Sequence, residues 1–113
     1  LCVSVRLDRM SELHELEAAF REFTAEPQTL GLPSAPERPV HLLDAPDRPQ
    51  PRLDRDRDRG MATSVGRLRK CPILDFKFVV LSHNTLRGAA GGSVLVAELA
   101  LKKGYLGDLK APE

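Results

Sequence analysis

The sequence predicts a mixed α/β fold (α+β), and three segments carry that prediction. Val3, Val5 and Leu7 alternate with Ser4 and Arg6, the period of two of a strand with one buried face. Leu13, Leu16, Phe20 and Phe23 are spaced as one apolar stripe of a helix. Residues 76–81, FKFVVL, form a short unbroken apolar run, which is the pattern of a strand covered on both faces.

The first strand starts at or before residue 2, and the chain opens on Leu1 rather than Met. A strand with no entry loop leads to the expectation that the sequence is a piece of a longer protein. Ser11 offers an N-cap hydroxyl, and Glu12 and Glu15 complement the dipole of a helix over roughly residues 12–23. Residues 24–39 hold Pro27, Gly31, Pro33, Pro36 and Pro39 and read as a surface loop. A short strand is expected over residues 40–43, after which Pro46, Pro49 and Pro51 exclude regular ladder pairing. The tract RLDRDRDRG at residues 52–60 leads into a strand-like pattern from Met61 to Leu68, and FKFVVL follows.

Residues 83–104 make the last helix. Asn84 and Thr85 are its N-cap candidates, and Lys102, Lys103 and Gly104 form the charge and glycine pattern of a helix end. Leu86, Val94, Leu95, Val96, Leu99 and Leu101 spread over nearly all its sides, so a buried helix is expected. One other helix and four short strands are too little to cover it, a second sign of missing partner structure. Gly88, Gly91 and Gly92 each cost about 1 kcal/mol relative to alanine in a helix. A strand or a ligand is expected to approach that helix end too closely for a Cβ.

Composition narrows the function classes. Seventeen basic residues stand against sixteen acidic ones in 113, a net charge of +1, which argues against a protein held on nucleic acid by charge. Aromatic residues make up 4% with no Trp, a poor platform for stacking bases. No apolar run approaches the ~18 residues needed to cross a bilayer. Two cysteines make neither a disulfide scaffold nor a four-cysteine zinc site, and no other metal-ligand spacing is present, so no metal is expected.

The candidate chemical groups are few. The Arg/Asp tract alternates charges that cancel pairwise, so an ion-paired or solvated loop is expected rather than a nucleic-acid contact. Cys71 follows Arg67, Arg69 and Lys70, which would lower its pKa, but it precedes Pro72 in a turn with no histidine beside it in sequence. Cys2 lies in a strand. Structural or incidental roles are expected for both. His14 is placed on the exposed side of the first helix and His41 in a short strand. His83 ends a strand and precedes a helix, a common binding position, although a structural role is expected of it first. Asn84, Thr85 and Gly88 share that junction, where free N–H groups and a side-chain amide can hold an anion or a carboxamide. A plain cap explains the same residues, and residue chemistry leaves the two readings even. No dinucleotide fingerprint lies in the chain.

The motifs PDRPQPRLDRD, GMATSVGRLRK and FKFVVLSHNTLRGAAGGSVLVAELALKKGYL resemble the C-terminal part of aspartate-semialdehyde dehydrogenases of the archaeal and fungal branch. CVSVRL and LGLPSAPERPVHLLDAPDRPQPRLDRD extend the resemblance to the start of the chain. Malonyl-CoA reductase, of the same superfamily, shares much of this region and is the alternative. The resemblance implies NADPH-dependent reduction of L-aspartyl 4-phosphate to the semialdehyde with release of phosphate. That reaction lies in lysine, threonine, methionine and isoleucine synthesis, in the cytoplasm, in a homodimer or homotetramer. It implies that residues 1–82 belong to the catalytic and dimerisation domain, that the helix at 83–104 returns to the NADP-binding domain, and that 105–113 are a tail. The glycine trio then packs on that cofactor domain. The family's nucleophile motif (Ser-Asn-Cys or a near variant) is absent from this sequence, and none of His14, His41 or His83 matches its acid/base histidine. No catalytic residue carries over, and the chain alone is expected to be inactive. What does carry over is Asn84 and Thr85, as contacts to the nicotinamide end of NADP. A stand-alone interaction module, using the apolar helix or the Arg/Asp tract, is the reading from another class.

Overall fold

The computed structural model describes residues 1–107 of the chain, so the expected tail lies outside the described residues from residue 108 onward. Strand β1 (Cys2–Val5) leads to helix α1 (Leu13–Glu22) and a single helical turn, α2 (Glu26–Thr29). Strand β2 (Val40–Leu43) is followed by a second short helix, α3 (Pro51–Asp54), and a 3-10 turn at Arg57–Gly60. Strands β3 (Thr63–Lys70) and β4 (Phe76–Leu81) come next. A π-helical turn at Leu86–Ala90 then runs into α4 (Gly91–Lys102).

The strands form one mixed sheet in the order β1-β4-β3-β2. β4 is antiparallel to both β1 and β3, and β2 runs parallel to β3. The register puts Val3, Val5, Phe76, Phe78, Val80, Val65 and Leu42 on one face. Helix α1 covers this face, with Phe20 meeting Phe78 edge-on at 5.2 Å between ring centroids. The opposite face carries Ser4, Lys77, Val79, Ser64 and Gly66. Over it lies the loop at 48–50, so close that a Cβ on Gly66 would overlap the Arg48 carbonyl oxygen and come within 2.7 Å of Pro49 Cδ. Between Gly66 and Arg69 the ladder slips by one residue, and Arg67 takes up the slip in the left-handed region at φ 53°.

A second small core joins α4 to the long loop. Leu32, Met61 and Leu95 are buried together, with Leu30, Ala35 and Leu99 packed against them. Complete burial of a leucine contributes roughly 1.5–3 kcal/mol. Glu98 fixes the arrangement by accepting from the Ser34 N–H at 3.0 Å and the Ser34 hydroxyl at 2.7 Å. At the helix end the Tyr105 N–H reaches the Ala100 carbonyl at 2.9 Å, and the Gly104 N–H reaches Leu101 at 3.0 Å. With Gly104 at φ 80°, this is the Schellman closure that the Lys-Lys-Gly pattern calls for.

The mixed fold is as expected, and several local expectations are corrected. β1 ends at Val5, because the Leu7 N–H turns to the Asp75 carboxylate at 2.6 Å. The N-cap of α1 is Glu12 rather than Ser11, with the Glu12 N–H held by the Glu15 carboxylate at 2.7 Å. β4 has only Phe76 fully buried, and Lys77 to Leu81 stay partly exposed on both faces. Helix α4 buries only Leu95, and Val96 stays 66% exposed. The apolar composition of α4 therefore exceeds what the described residues cover.

Candidate functional site

The site is built where β4 hands over to the last helical segment. β4 ends at Leu81, and the backbone turns through Ser82, His83, Asn84 and Thr85 before the π-helical turn begins. Thr85, one of the two candidates, stands at the N-cap position, but its side chain makes no capping bond. The unprotonated Nδ1 of the His83 ring accepts from the Thr85 N–H at 3.2 Å and the Leu86 N–H at 3.2 Å, with the Thr85 hydroxyl at 3.1 Å. Orphan N–H groups of a helix start are satisfied here by an imidazole instead of a hydroxyl or carboxylate. Nε2 of the same ring faces Asp56 Oδ1 at 3.8 Å.

The π turn follows at once. The Gly88 N–H bonds to the His83 carbonyl at 2.9 Å, and the Ala90 N–H to the Thr85 carbonyl at 2.9 Å, each spanning five residues. Two of the glycines are closely approached, but by neither a strand nor a ligand, which corrects the expectation. A Cβ on Gly91 would overlap Met61 Sδ, and one on Gly92 would overlap the Arg87 carbonyl of the π turn itself. Gly88 meets only an ordinary contact, 3.5 Å to the His83 carbonyl. Gly60 lies beneath the cap at φ 77°, where a Cβ would come within 2.6 Å of Leu86 Cδ1 and 3.3 Å of His83 Cδ2.

The Arg/Asp tract underpins that loop. Asp54 is buried, with 1% of its surface exposed, and two guanidinium groups converge on it. Arg48 Nε donates to Oδ2 at 2.7 Å and Arg48 Nη2 to Oδ1, while the Gln50 N–H reaches Oδ2 at 2.8 Å. Arg57 adds Nε at 3.1 Å and Nη2 at 3.0 Å. Hydrogen bonding from Arg48, above all, holds the Asp54 carboxyl well below the usual carboxylate range. The ion-paired reading of the tract is therefore right for Asp54 and Arg57. His41 Nε2 also meets Asp58 Oδ2 at 2.9 Å.

A groove opens beside the cap, lined by Pro51, Arg55, Asp56, Leu81, His83 and Asn84. Asn84 is exposed in its lining, and Thr85, the next residue, is exposed outside it. The groove offers an apolar wall in Pro51 and Leu81, and the amide of Asn84 as donor and acceptor. A planar carboxamide needs a partner of that kind. Cys2 and Cys71 lie away from this groove, His14 is exposed on α1, and His41 is engaged on β2. Sequence reasoning missed the Asp54 hub and the His83 cap. The signal for Asp54 was its place four residues after Gln50, behind a Pro51 that begins a helix.

Residues 1–87 match the family described as "Semialdehyde dehydrogenase, dimerisation domain". The chain belongs to this family. The match runs from β1 through the His83–Asn84–Thr85 turn. Among relatives, the aspartate-semialdehyde dehydrogenase of Saccharomyces cerevisiae is 47% identical over 107 residues, covering 93% of this chain and 29% of that protein. The enzyme of the same name from Archaeoglobus fulgidus is 48% identical, covering 89% and 28%. The crystal structure of Candida albicans aspartate-semialdehyde dehydrogenase with NADP superposes with a TM-score of 0.82 at 46% identity, covering 92% of this chain and 30% of that one. The chain thus spans less than a third of the length of these relatives, and they come from the fungal and archaeal branch the motifs indicate.

Proposed function

We propose that this chain works as the dimerisation-domain portion of an aspartate-semialdehyde dehydrogenase. The intact enzyme takes L-aspartyl 4-phosphate to L-aspartate 4-semialdehyde and releases phosphate, acting in the cytoplasm as a homodimer or homotetramer. The observation that carries this reading is 46% identity at a TM-score of 0.82, over nearly all of the chain, to an aspartate-semialdehyde dehydrogenase solved with NADP.

The residues at the groove fit a nicotinamide carboxamide. The Asn84 side chain is exposed there with both a donor and an acceptor, and Leu81 and Pro51 give the ring an apolar wall. When bound, the dinucleotide supplies the hydride. This chain's part is to orient it through Asn84 and Thr85 and to join subunits through the sheet. Residues 1–82 carry the subunit contacts in this reading, and the 83–104 segment lies against the cofactor domain. The sequence holds no cysteine in the family's nucleophile motif, so the chain by itself performs no acyl transfer.

The test is a chimera in which this chain replaces the matching segment of the Candida albicans enzyme. Phosphate-dependent NADP reduction by aspartate semialdehyde should be restored, and Asn84→Ala should raise the KM for NADP. The chain alone should give no turnover. A folded chimera without activity, or turnover by the chain alone, overturns the reading.

A further inference from the structure

The turn that brings Asn84 into the groove and Thr85 next to it is held by a single ring. Two backbone N–H groups, those of Thr85 and Leu86, converge on Nδ1 of His83 at 3.2 Å each and share its one lone pair, and the Thr85 hydroxyl lies beside it at 3.1 Å. That nitrogen must be bare to accept them, so the ring proton resides on Nε2, which faces Asp56. The ring is itself held in place from below. Gly60 lies against its Cδ2 edge so closely that a Cβ would be 3.3 Å away. The stretch carrying Gly60 is tied by Arg57, which grips the buried carboxylate of Asp54 at 3.0 and 3.1 Å.

We infer that His83 is a positioning residue, whose Nδ1 sets the turn that presents Asn84 and Thr85 to the cofactor. The inference rests on the proposed cofactor role of those two residues. His83 also forms part of the groove wall, and the role inferred for it is exerted through the backbone it caps. Without the ring acceptor, two N–H groups at the start of the helical segment lose their partner. Asn84 and Thr85 then sample orientations that do not meet the dinucleotide, and affinity falls in proportion to the population of the productive turn.

Asparagine separates this role from simple packing. Its Oδ1 is attached to Cγ, as Nδ1 is in histidine, and it accepts from N–H groups two and three residues ahead. Leucine fills comparable space without an acceptor. In the chimera, His83→Leu should raise the KM for NADP on the order of tenfold, the equivalent of two lost hydrogen bonds of ordinary strength. The kcat at saturating NADP should change less than about twofold, because the reacting groups are untouched. Hydrogen exchange at the Thr85 and Leu86 amides should quicken by a similar factor. His83→Asn should keep both KM and exchange near the parent values.

Equal behaviour of the leucine and asparagine variants, or unchanged exchange in His83→Leu, overturns the inference. If the leucine variant does not fold, the asparagine variant alone decides, since a tenfold rise in KM or exchange there is fatal. If Asn84→Ala and Thr85→Val leave the KM unchanged while exchange follows the leucine–asparagine contrast, the cofactor reading falls. His83 then stands as the organiser of the turn.

Discussion

Replacing Asp54 with asparagine keeps the shape of the side chain and removes the charge that two arginines share. The carboxylate has no exposed surface, while the Arg48 and Arg57 side chains keep 26% and 33% of theirs. Breaking a buried ion pair by removing one partner costs about 3–5 kcal/mol. The lower end applies because both guanidinium groups stay within reach of water, so a loss of about 3 kcal/mol is expected. At about 4 °C per kcal/mol for a domain near this size, the midpoint of thermal unfolding should fall by roughly 12 °C at pH 7. Circular dichroism melts of the chain and of Asp54→Asn measure it. The folded carboxyl lies below its ordinary value, so its contribution is complete above the unfolded pKa of about 3.9 and is lost as pH falls through that value toward the folded one. The parent should therefore lose its advantage over the variant progressively below about pH 5. A fall of less than about 4 °C at pH 7, equivalent to about 1 kcal/mol, would refute the hub, as would a gap that persists unchanged at acid pH.

Gly60→Ala places a β-carbon within 2.6 Å of Leu86 Cδ1 at a residue with φ 77°. A loss of about 2 kcal/mol is expected in denaturant melts, and a variant as stable as the parent would argue against the observed loop. Leu95→Ala empties the centre of the small core under α4 and should cost about 2–3 kcal/mol, the lower half of the usual range because the partly buried Leu30, Ala35 and Leu99 around it can collapse inward. A cost under about 1 kcal/mol would mean that α4 does not pack there. The Cys71 thiol is held below its ordinary value, first by the Leu74 N–H at 3.4 Å and then by the Ile73 N–H. Its rate of alkylation by iodoacetamide should rise through a midpoint under the ~8.5 of a free cysteine, and a midpoint at or above that value would contradict the turn.

What the sequence discloses and what it hides divide along physical lines. Phe20 and its neighbours were legible because a surface helix must repeat its apolar residues every turn. The FKFVVL strand was legible because few other structures use such a run. The two one-turn helices at Glu26–Thr29 and Pro51–Asp54 were hidden, since Pro27 read as a loop residue and Pro51 as a ladder breaker, although proline also suits the first turn of a helix. In the Arg/Asp tract the alternation is uniform, and only the fold singles out Asp54, by bringing Arg48 from six residues before it and Arg57 from three residues after. Asn84 and Thr85 drew the cap assignment because amides and hydroxyls are the usual caps, and Thr85 does stand at the N-cap, yet the histidine just before them supplies the side-chain acceptor. The buried-helix expectation for α4 measured its composition, which is silent on what lies alongside.

The turn at Leu86–Ala90 also acts as a phase-shifter. Each bond that spans five residues spends one more residue than an α-helical turn would. A helical wheel drawn continuously from 83 to 104 therefore sets the residues before the turn one step out of phase with those after it, although α4 alone, with Val94, Leu95 and Val96 in succession, is already apolar on several sides. Deleting one residue from the turn would let an ordinary α-helix run through it. An α-helical turn completes the same rotation with one residue fewer, so the junction upstream would keep nearly the same direction around the helix axis relative to Leu95. Asn84 would stay aimed as it is, and only the extra residue would be lost. The turn thus shifts the numbering of the helix face by one residue while leaving the direction of the junction before it unchanged.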